Sequence, residues 1–365
     1  MRIAQVAPLY ESVPPKTYGG TERVVSWLTE ELVRLGHEVT LFASAESLTT
    51  ARLVPCCPEA LRLSSRSVDP IARHMVQLEK VLEEKDEFDL IHFHIDYLHF
   101  PISSRETYAH VTTLHGRLDI PDLAPLYDVY RGVPVVSISD AQRTPLPNLR
   151  WQGTVHHGFP PETYSWHSRP GKYLAFLGRT SSEKGLDRAI KIAQMAGMPL
   201  KVAAKIDEAD QEHFDACIKP LLDSGDVEFL GEIGYPEKNK FLGHAAALLF
   251  PISWPEPFGI VMIEAMACGT PVIAYPLGSV PEVIKDGVSG FVVPDLQGAV
   301  DAVRRIEKLD RKKVRKYFEQ NFTAARMTQQ YVRIYERLTS GKTSPLATVD
   351  GVLNWMKLTS PSSTT

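Results

Sequence analysis

The stretch SWPEPFGIVMIEAMACGTPVIA, residues 253–274, is apolar almost throughout, yet it carries two carboxylates, Glu256 and Glu264. Trp254, Pro255 and Pro257 block regular structure ahead of Phe258, whereas IVMIEAMACG reads as a helix that begins near Gly259 and stops at Gly269. Glu256 then belongs to the entering loop and Glu264 lies about one turn inside the helix. The amides of Phe258, Gly259 and Ile260 fall between the two acids. Free amides at the positive end of a helix favour an anionic phosphate, and glycine lets a ligand come close to the backbone. A carboxylate beside them can accept from both hydroxyls of a vicinal diol. The pattern suits a nucleotide sugar, with Glu264 on the ribose, a phosphate on the amides and Glu256 on the transferred sugar. The plainer alternative leaves Glu264 as a favourable charge at a helix start and Glu256 in solvent.

A second set of residues lies in LGRTSSEKGLDRAI, where a strand ending at Gly178 is followed by a polar loop flanked by Arg179 and Lys184. Two cations in a strand-to-helix loop can take both phosphates of a diphosphate through charge-assisted hydrogen bonds of roughly 1.5–3 kcal/mol each. They would also stabilise the diphosphate as it leaves. Alternatively this is a solvated loop. In PPKTYGGTERVV, Gly19 and Gly20 precede the first long helix and can offer backbone amides to phosphate or sugar, or simply turn the chain. No GxGxxG fingerprint follows any strand, so a nicotinamide site lacks its phosphate loop. Histidines gather in HFHIDYLHF and TTLHG. His92, His94 and Asp96 can be drawn as a metal site, but hydrogen-bonded strand positions explain them better and no metal is expected. His115, at the end of its strand, is the better candidate for ligand contact.

The elements that must position these residues follow from the alternation of strand-like and amphipathic helical runs. IAQVAP, EVTLFAS, DLIHFHI, HVTTLHG and PVVSIS read as strands in the first half. In TERVVSWLTEELVRLG, Val24, Val25, Leu28, Leu32 and Leu35 share a helical face; in DPIARHMVQLEKVLEEK, Asp69 caps, Pro70 follows, and Ile71, Met75, Leu78 and Leu82 form the apolar stripe. Residues 151–171, WQGTVHHGFPPETYSWHSRPG, have neither periodicity and read as a linker. After it the alternation restarts with KYLAFLGR, PLKVAAK, VEFLG, ALLFPI, PVIAY and GFVVP as strands and DQEHFDACIKPLLDS among the helices. The expected fold is α/β, two Rossmann-like doubly wound domains facing across a cleft. The divisions are an N-terminal domain 1–157 on the acceptor side, linker 158–171, a donor domain 172–322, a last helix 323–339 and a polar tail 340–365. In open α/β sheets the ligand lies at the C-terminal strand ends, so the site is expected in the cleft.

The 365 residues, 44% hydrophobic and 23% charged with a net charge of −4, suit a globular protein of two domains and leave no basic excess for nucleic acid. The N-terminal MRIAQVAPLY is too weakly apolar for a secretory signal, and no apolar run approaches the roughly 18 residues of a membrane span. A cytoplasmic protein is expected, with contact at the inner face of a membrane left open. The four cysteines, including adjacent Cys56 and Cys57, show no CxxC spacing and read as reduced thiols.

Taken together, these residues resemble the retaining glycosyltransferases of family 4, which have the GT-B fold. The likeness spans about residues 1 to 340 and is most specific where EPFGIVMIE fits the family's E-x7-E element, followed by AMACGTPVIA and GSVPEVIKDGVSGFVVP. It implies that Gly19 and Gly20 form the glycine-rich loop and that His115 lies near the sugar's terminal hydroxyl. It further implies that Arg179 and Lys184 hold the diphosphate, and that backbone around Ile233 holds the base. The last helix would return onto the N-terminal domain. The hinge departs from the family, with His157-Gly158 where Asn-Gly is common, a change that touches no donor residue. The implied activity is metal-independent transfer of a sugar from a nucleotide diphosphate sugar to an acceptor hydroxyl, with retention at the anomeric carbon. No cofactor is implied. UDP-sugar is the first guess for the donor, GDP- or ADP-sugar the alternatives, and the acceptor is a glycan, lipid or small molecule. The rival readings are a nucleotide-sugar epimerase, a phosphorylase on the same fold, and a non-catalytic nucleotide-sugar or glycan-binding protein.

Overall fold

A computed structural model describes residues 1–16, 19–62, 64, 69–222 and 226–340. The tail beyond Ser340, with its LNWMKL segment, lies outside the described residues, as do Tyr18 of the YGG motif and the end of the helix read over DQEHFDACIKPLLDS.

Seven parallel strands form the first sheet: β1 (Arg2–Val6), β2 (Glu38–Ser44), β3 (Arg52–Cys57), β4 (Leu90–Phe93), β5 (His110–Thr113), β6 (Val135–Ser137) and β7 (Trp151–Thr154), in the order β3-β2-β1-β4-β5-β6-β7. Six more form the second: β8 (Leu174–Arg179), β9 (Leu200–Lys205), β10 (Val227–Gly231), β11 (Ala247–Phe250), β12 (Val272–Ala274) and β13 (Gly290–Val292), ordered β10-β9-β8-β11-β12-β13. The central strands are buried end to end, as parallel strands covered on both faces must be. Strand order reverses between β1 and β4 in one sheet and between β8 and β11 in the other. Loops after these strands leave toward opposite sides of the sheet, which opens the crevice used for ligands.

Two edge strands were not anticipated. β3 contains Pro55, which an edge strand tolerates because one side of its backbone needs no partner. β7 begins what the sequence presents as linker; it is only partly buried, so it shows no apolar run. The helix Pro70–Glu83 is capped by Asp69, whose carboxylate accepts from the amides of Ile71 and Ala72. Its buried side is His74, Gln77, Leu78 and Val81, whereas Ile71 and Met75 are exposed. The stripe is displaced because two polar side chains face inward with partners: His74 Nε2 accepts from the Leu9 amide, and the Gln77 amide donates to the carbonyls of Ala7 and Phe42. On the first helix (Gly20–Arg34), Val24, Leu28 and Leu32 enter the core, while Leu35 is exposed beyond its end.

The chain crosses between lobes twice at one place. Phe159 donates its amide to Phe322 O and accepts from Ala324 N. Gly158 is obligatory there, since a Cβ would lie 2.4 Å from the Thr323 carbonyl oxygen. The last helix (Ala324–Ser340) then places Met327, Tyr331, Ile334, Tyr335 and Leu338 against Ile3, Leu28 and Val111 of the first lobe. No helix of the described residues is long and apolar enough to cross a membrane. All four cysteines carry free thiols.

Candidate active site

Two loops of the second lobe bring opposite charges together. Gly185 has φ 78° and its Cβ position lies 2.2 Å from Pro251 O, so the loop after β8 can touch the loop after β11 only through a glycine. Ser253 N donates to Glu183 O alongside. These contacts set Lys184 Nζ at 2.5 Å from Glu256 Oε2 and 4.7 Å from the centre of the Trp254 ring. The ammonium has three donors, and the carboxylate takes one of them. Arg179 ends β8 on the wall of the same cavity, with Glu183 at 3.1 Å, Asp207 at 3.7 Å and Asp210 at 3.8 Å.

The helix starts where the prolines require. It runs Ile260–Ala267, with Gly259 at its N-cap in a left-handed conformation and no side chain capping its amides. Gly259, Ile260 and Val261, at the helix start where no side chain caps the amides, line the cavity. A third loop holds this entry: Ser279 donates its amide to Glu256 O and its hydroxyl to Phe258 O. Gly278 lies so close that a Cβ would be 2.4 Å from Glu256 N and O. Glu264 is 3% exposed, accepts the Tyr164 hydroxyl at 2.7 Å and pairs with Lys238 Nζ at 3.2 Å.

Across the cleft, Gly19 has φ 143° and its Cβ position is 2.7 Å from Pro15, while that of Gly20 is 3.6 Å from Ile260 of the other lobe. The glycine-rich loop therefore faces the amide cluster directly. His115 puts Nε2 at 2.9 Å from His94 Nδ1, and its own Nδ1 is buried without a partner. Burial drives its pKa down to about 3, so the ring is neutral. Asp96 follows β4 with φ 49°, a strained conformation for a non-glycine residue, and lines the cavity beside His115.

The structure places every nominated residue on one cavity of about 740 Å³: His115, Arg179, Lys184, Glu256, Gly19, Gly20, Ile233, Phe258, Gly259, Ile260 and Glu264, with His94, Asp96 and Tyr97 on the same wall as His115. The hinge histidine also belongs to the cavity wall. His157 lines the cavity, stacks on His115 with centroids 5.3 Å apart and meets Phe258 edge-on at 4.8 Å. Tyr164, Lys238 and the Trp254 ring were missed as site residues. The nitrogens of His92 and His94 are hydrogen-bonded to Tyr335, Thr113, His115 and Gln5.

Two parallel-sheet lobes facing each other across a cavity define a GT-B transferase architecture. Comparison with known proteins gives the family. Residues 18–182 match the family described as Glycosyltransferase Family 4 and residues 167–324 the one described as Glycosyl transferases group 1. Together the two matches span residues 18–324, both lobes, and make this a family 4-like GT-B glycosyltransferase. It is 25% identical to the O-antigen chain mannosyltransferase C of Escherichia coli over 94% of this chain and 100% of that one. Shorter alignments to uncharacterized cps-region proteins of Klebsiella pneumoniae span 41% and 46% of those relatives. Among solved structures, AviGT4, a glycosyltransferase involved in avilamycin A biosynthesis, superposes with a TM-score of 0.72 at 25% identity, covering 93% of this chain and 98% of that one. Anabaena Alr3699/HepE, solved with UDP and glucose, shares the fold with a TM-score of 0.68 at 19% identity over 93% of this chain and 100% of that one.

Proposed function

We propose that this glycosyltransferase takes its sugar from a nucleotide diphosphate sugar and transfers it to an acceptor hydroxyl with retention at the anomeric carbon, needing neither a metal ion nor a prosthetic group. The observation that carries the reading is the Lys184–Glu256 contact at the uncapped start of the Ile260–Ala267 helix, with Arg179 and Glu264 on the same cavity. Cations and free amides there address a diphosphate, and the two carboxylates flank it to accept from sugar hydroxyls. The C1–O bond to the diphosphate breaks, the acceptor oxygen bonds to C1 on the same face, and the acceptor proton passes to the departing phosphate. No protein nucleophile is assigned. Catalysis then consists of positioning and of stabilising the charge that builds on the leaving diphosphate. UDP is the first choice of nucleotide, a reading supported at the level of fold by the UDP-bound neighbour. Asp96 and Tyr97 face the acceptor.

The test is release of nucleotide and labelled sugar transfer from UDP-, GDP- and ADP-sugars. Lys184→Ala and Glu256→Ala should each lower kcat by roughly 10²–10³-fold while circular dichroism stays that of the wild type. Wild-type rates in either variant would contradict the assignment, and binding without nucleotide release would make the protein a receptor.

A further inference from the structure

An unbroken chain of buried hydrogen bonds runs from the cleft to the last helix. His115 Nε2 meets His94 Nδ1 at 2.9 Å, and His94 Nε2 meets Gln5 Oε1 at 2.8 Å. Gln5 Nε2 donates to the Tyr335 hydroxyl at 3.3 Å, which meets His92 Nδ1 at 2.7 Å. His92 Nε2 reaches Thr113 Oγ1 at 2.7 Å, and Thr113 reaches the Tyr331 hydroxyl at 3.0 Å. Three strands, β1, β4 and β5, and the loops at their ends contribute links, but both tyrosines come from the Ala324–Ser340 helix. Gln5, His92, Tyr331 and Tyr335 are fully buried and His94 nearly so.

The amide of Gln5 gives this chain a direction. Its oxygen can only accept, so His94 Nε2 carries a hydrogen. Burial holds His94 and His92 neutral, each well below the usual histidine range, with neighbouring rings adding to the effect. A neutral His94 with hydrogen on Nε2 has a lone pair on Nδ1, so His115 Nε2 must be the donor to it. That leaves the lone pair of His115 on Nδ1, a buried atom with no protein partner, in a ring that lines the cavity. In the other direction, Tyr335 accepts from Gln5 and gives its own proton to His92 Nδ1, and His92 Nε2 donates to Thr113. Each bond from Gln5 to Thr113 then has one donor and one acceptor.

We infer that Gln5, His94 and Tyr335 act as positioning residues that fix His115 as an acceptor toward a hydroxyl of the bound sugar. The claim rests on the proposed reading for the sugar itself, but the tautomer is a property of the free protein. A ring with hydrogen on Nδ1 would instead offer a donor at the same point, and an enzyme distinguishes hydroxyl orientations by such polarity.

The experiment has two arms. Proton–nitrogen correlation spectra of protein labelled with nitrogen isotope at histidine read the His115 tautomer directly. In the wild type, hydrogen is expected on Nε2 alone; Gln5→Leu, and the near-isosteric Tyr335→Phe should the first variant not fold, are expected to give a mixture of both tautomers. Hydrogen on Nδ1 in the wild type, or an unchanged pattern in a folded variant, overturns the inference. In the second arm, Gln5→Leu should lower kcat/KM roughly tenfold in the wild-type background, about the worth of one neutral hydrogen bond, and have no further effect in a His115→Ala background. Losses that multiply in both backgrounds would mark Gln5 as merely structural and overturn the inference. If no donor supports transfer, the glycosyl-transfer reading fails while the spectra still decide the relay.

Discussion

A carboxylate buried as deeply as Glu264 is tolerable only when its charge is matched, and here a tyrosine hydroxyl and an ammonium do so. Burial first, and the Glu264 charge next, push the Tyr164 phenol well above its ordinary range, so it remains a donor at any working pH. We expect Tyr164→Phe to raise the donor KM by roughly fivefold with kcat little changed, and to cost about 1 kcal/mol of stability, because a loosened carboxylate meets the ribose less well. Steady-state kinetics and denaturant titration check this; an unaltered KM would mean that Glu264 does not touch the nucleotide. Glu256, Glu264, Arg179 and Lys184 could be nominated from sequence because each lies in or beside a loop whose start and stop are written in proline and glycine. Tyr164 and Lys238 could not, being 100 and 26 residues from the acid they serve. Nothing local in either segment announces a partner at that distance. His157 illustrates the reverse case: it was noticed as a change in the hinge, but only the fold shows that its ring lies against His115.

At the scale of elements, the site is an assembly of three loops that touch through glycines. Gly278 combines φ 56° with a Cβ position 2.4 Å from the Glu256 backbone, so any side chain there displaces the loop that carries Glu256 and leads into the amide cluster. Gly287 supplies the control, with φ 70° and no atom near its Cβ position. Both Gly→Ala changes incur left-handed strain of about 1–2 kcal/mol. Gly278→Ala should in addition lower transfer by at least roughly tenfold, since misplacement of about 1 Å is enough for losses of that size. Gly287→Ala should keep the wild-type rate. Equal rates for the two variants, measured with matched melting curves, would show that the Gly278 contact does not position Glu256. Elements with a buried face and a clear stop were legible: β1, β4, β8 and β11 carry apolar runs, β5 is rich in β-branched residues, and the Ile260–Ala267 helix has prolines before it and a glycine after it. β3 and β7 were not, because an edge strand needs burial on only part of its surface and so leaves a weak pattern. The helix Pro70–Glu83 was found, but its inward face was misread because His74 and Gln77 are buried by virtue of their hydrogen bonds.

The whole molecule is two sheets whose order reverses at the cleft, and the relation between the lobes is fixed by contacts no single segment encodes. Alternation of strands and helices made the cleft legible. The clamp across it was not: Glu282 of the second lobe accepts from the amides of Asp140 and Ala141, each at 2.7 Å, and from His156 Nε2 at 3.1 Å. Burial alone would raise the Glu282 carboxyl, but the bonds from His156 and the two amides outweigh it and hold it below its usual value. The buried histidines act in a different pH range. Burial keeps His92, His94, His99 and His157 neutral well below 6.5, His110 down to about 4 and His115 to about 3. Below that reference value the unfolded chain binds protons that the folded chain refuses, so stability falls as pH falls, by about 1 kcal/mol per ring at about pH 5.5. Glu282 has the opposite charge type but the same direction. Its depressed pKa adds stability that is fully present above the unfolded carboxyl value near 4.5 and is lost as pH falls through the folded one. We therefore expect the denaturation midpoint to drop between about pH 7 and about pH 5 in both wild type and Glu282→Gln, through the histidines. Below about pH 4.5 the wild type should lose stability more steeply than the variant, whose side chain has no proton to gain. A midpoint flat from neutrality to about pH 5 would contradict neutral burial of the rings, and parallel curves below about pH 4.5 would remove Glu282 as the ionic link between the lobes.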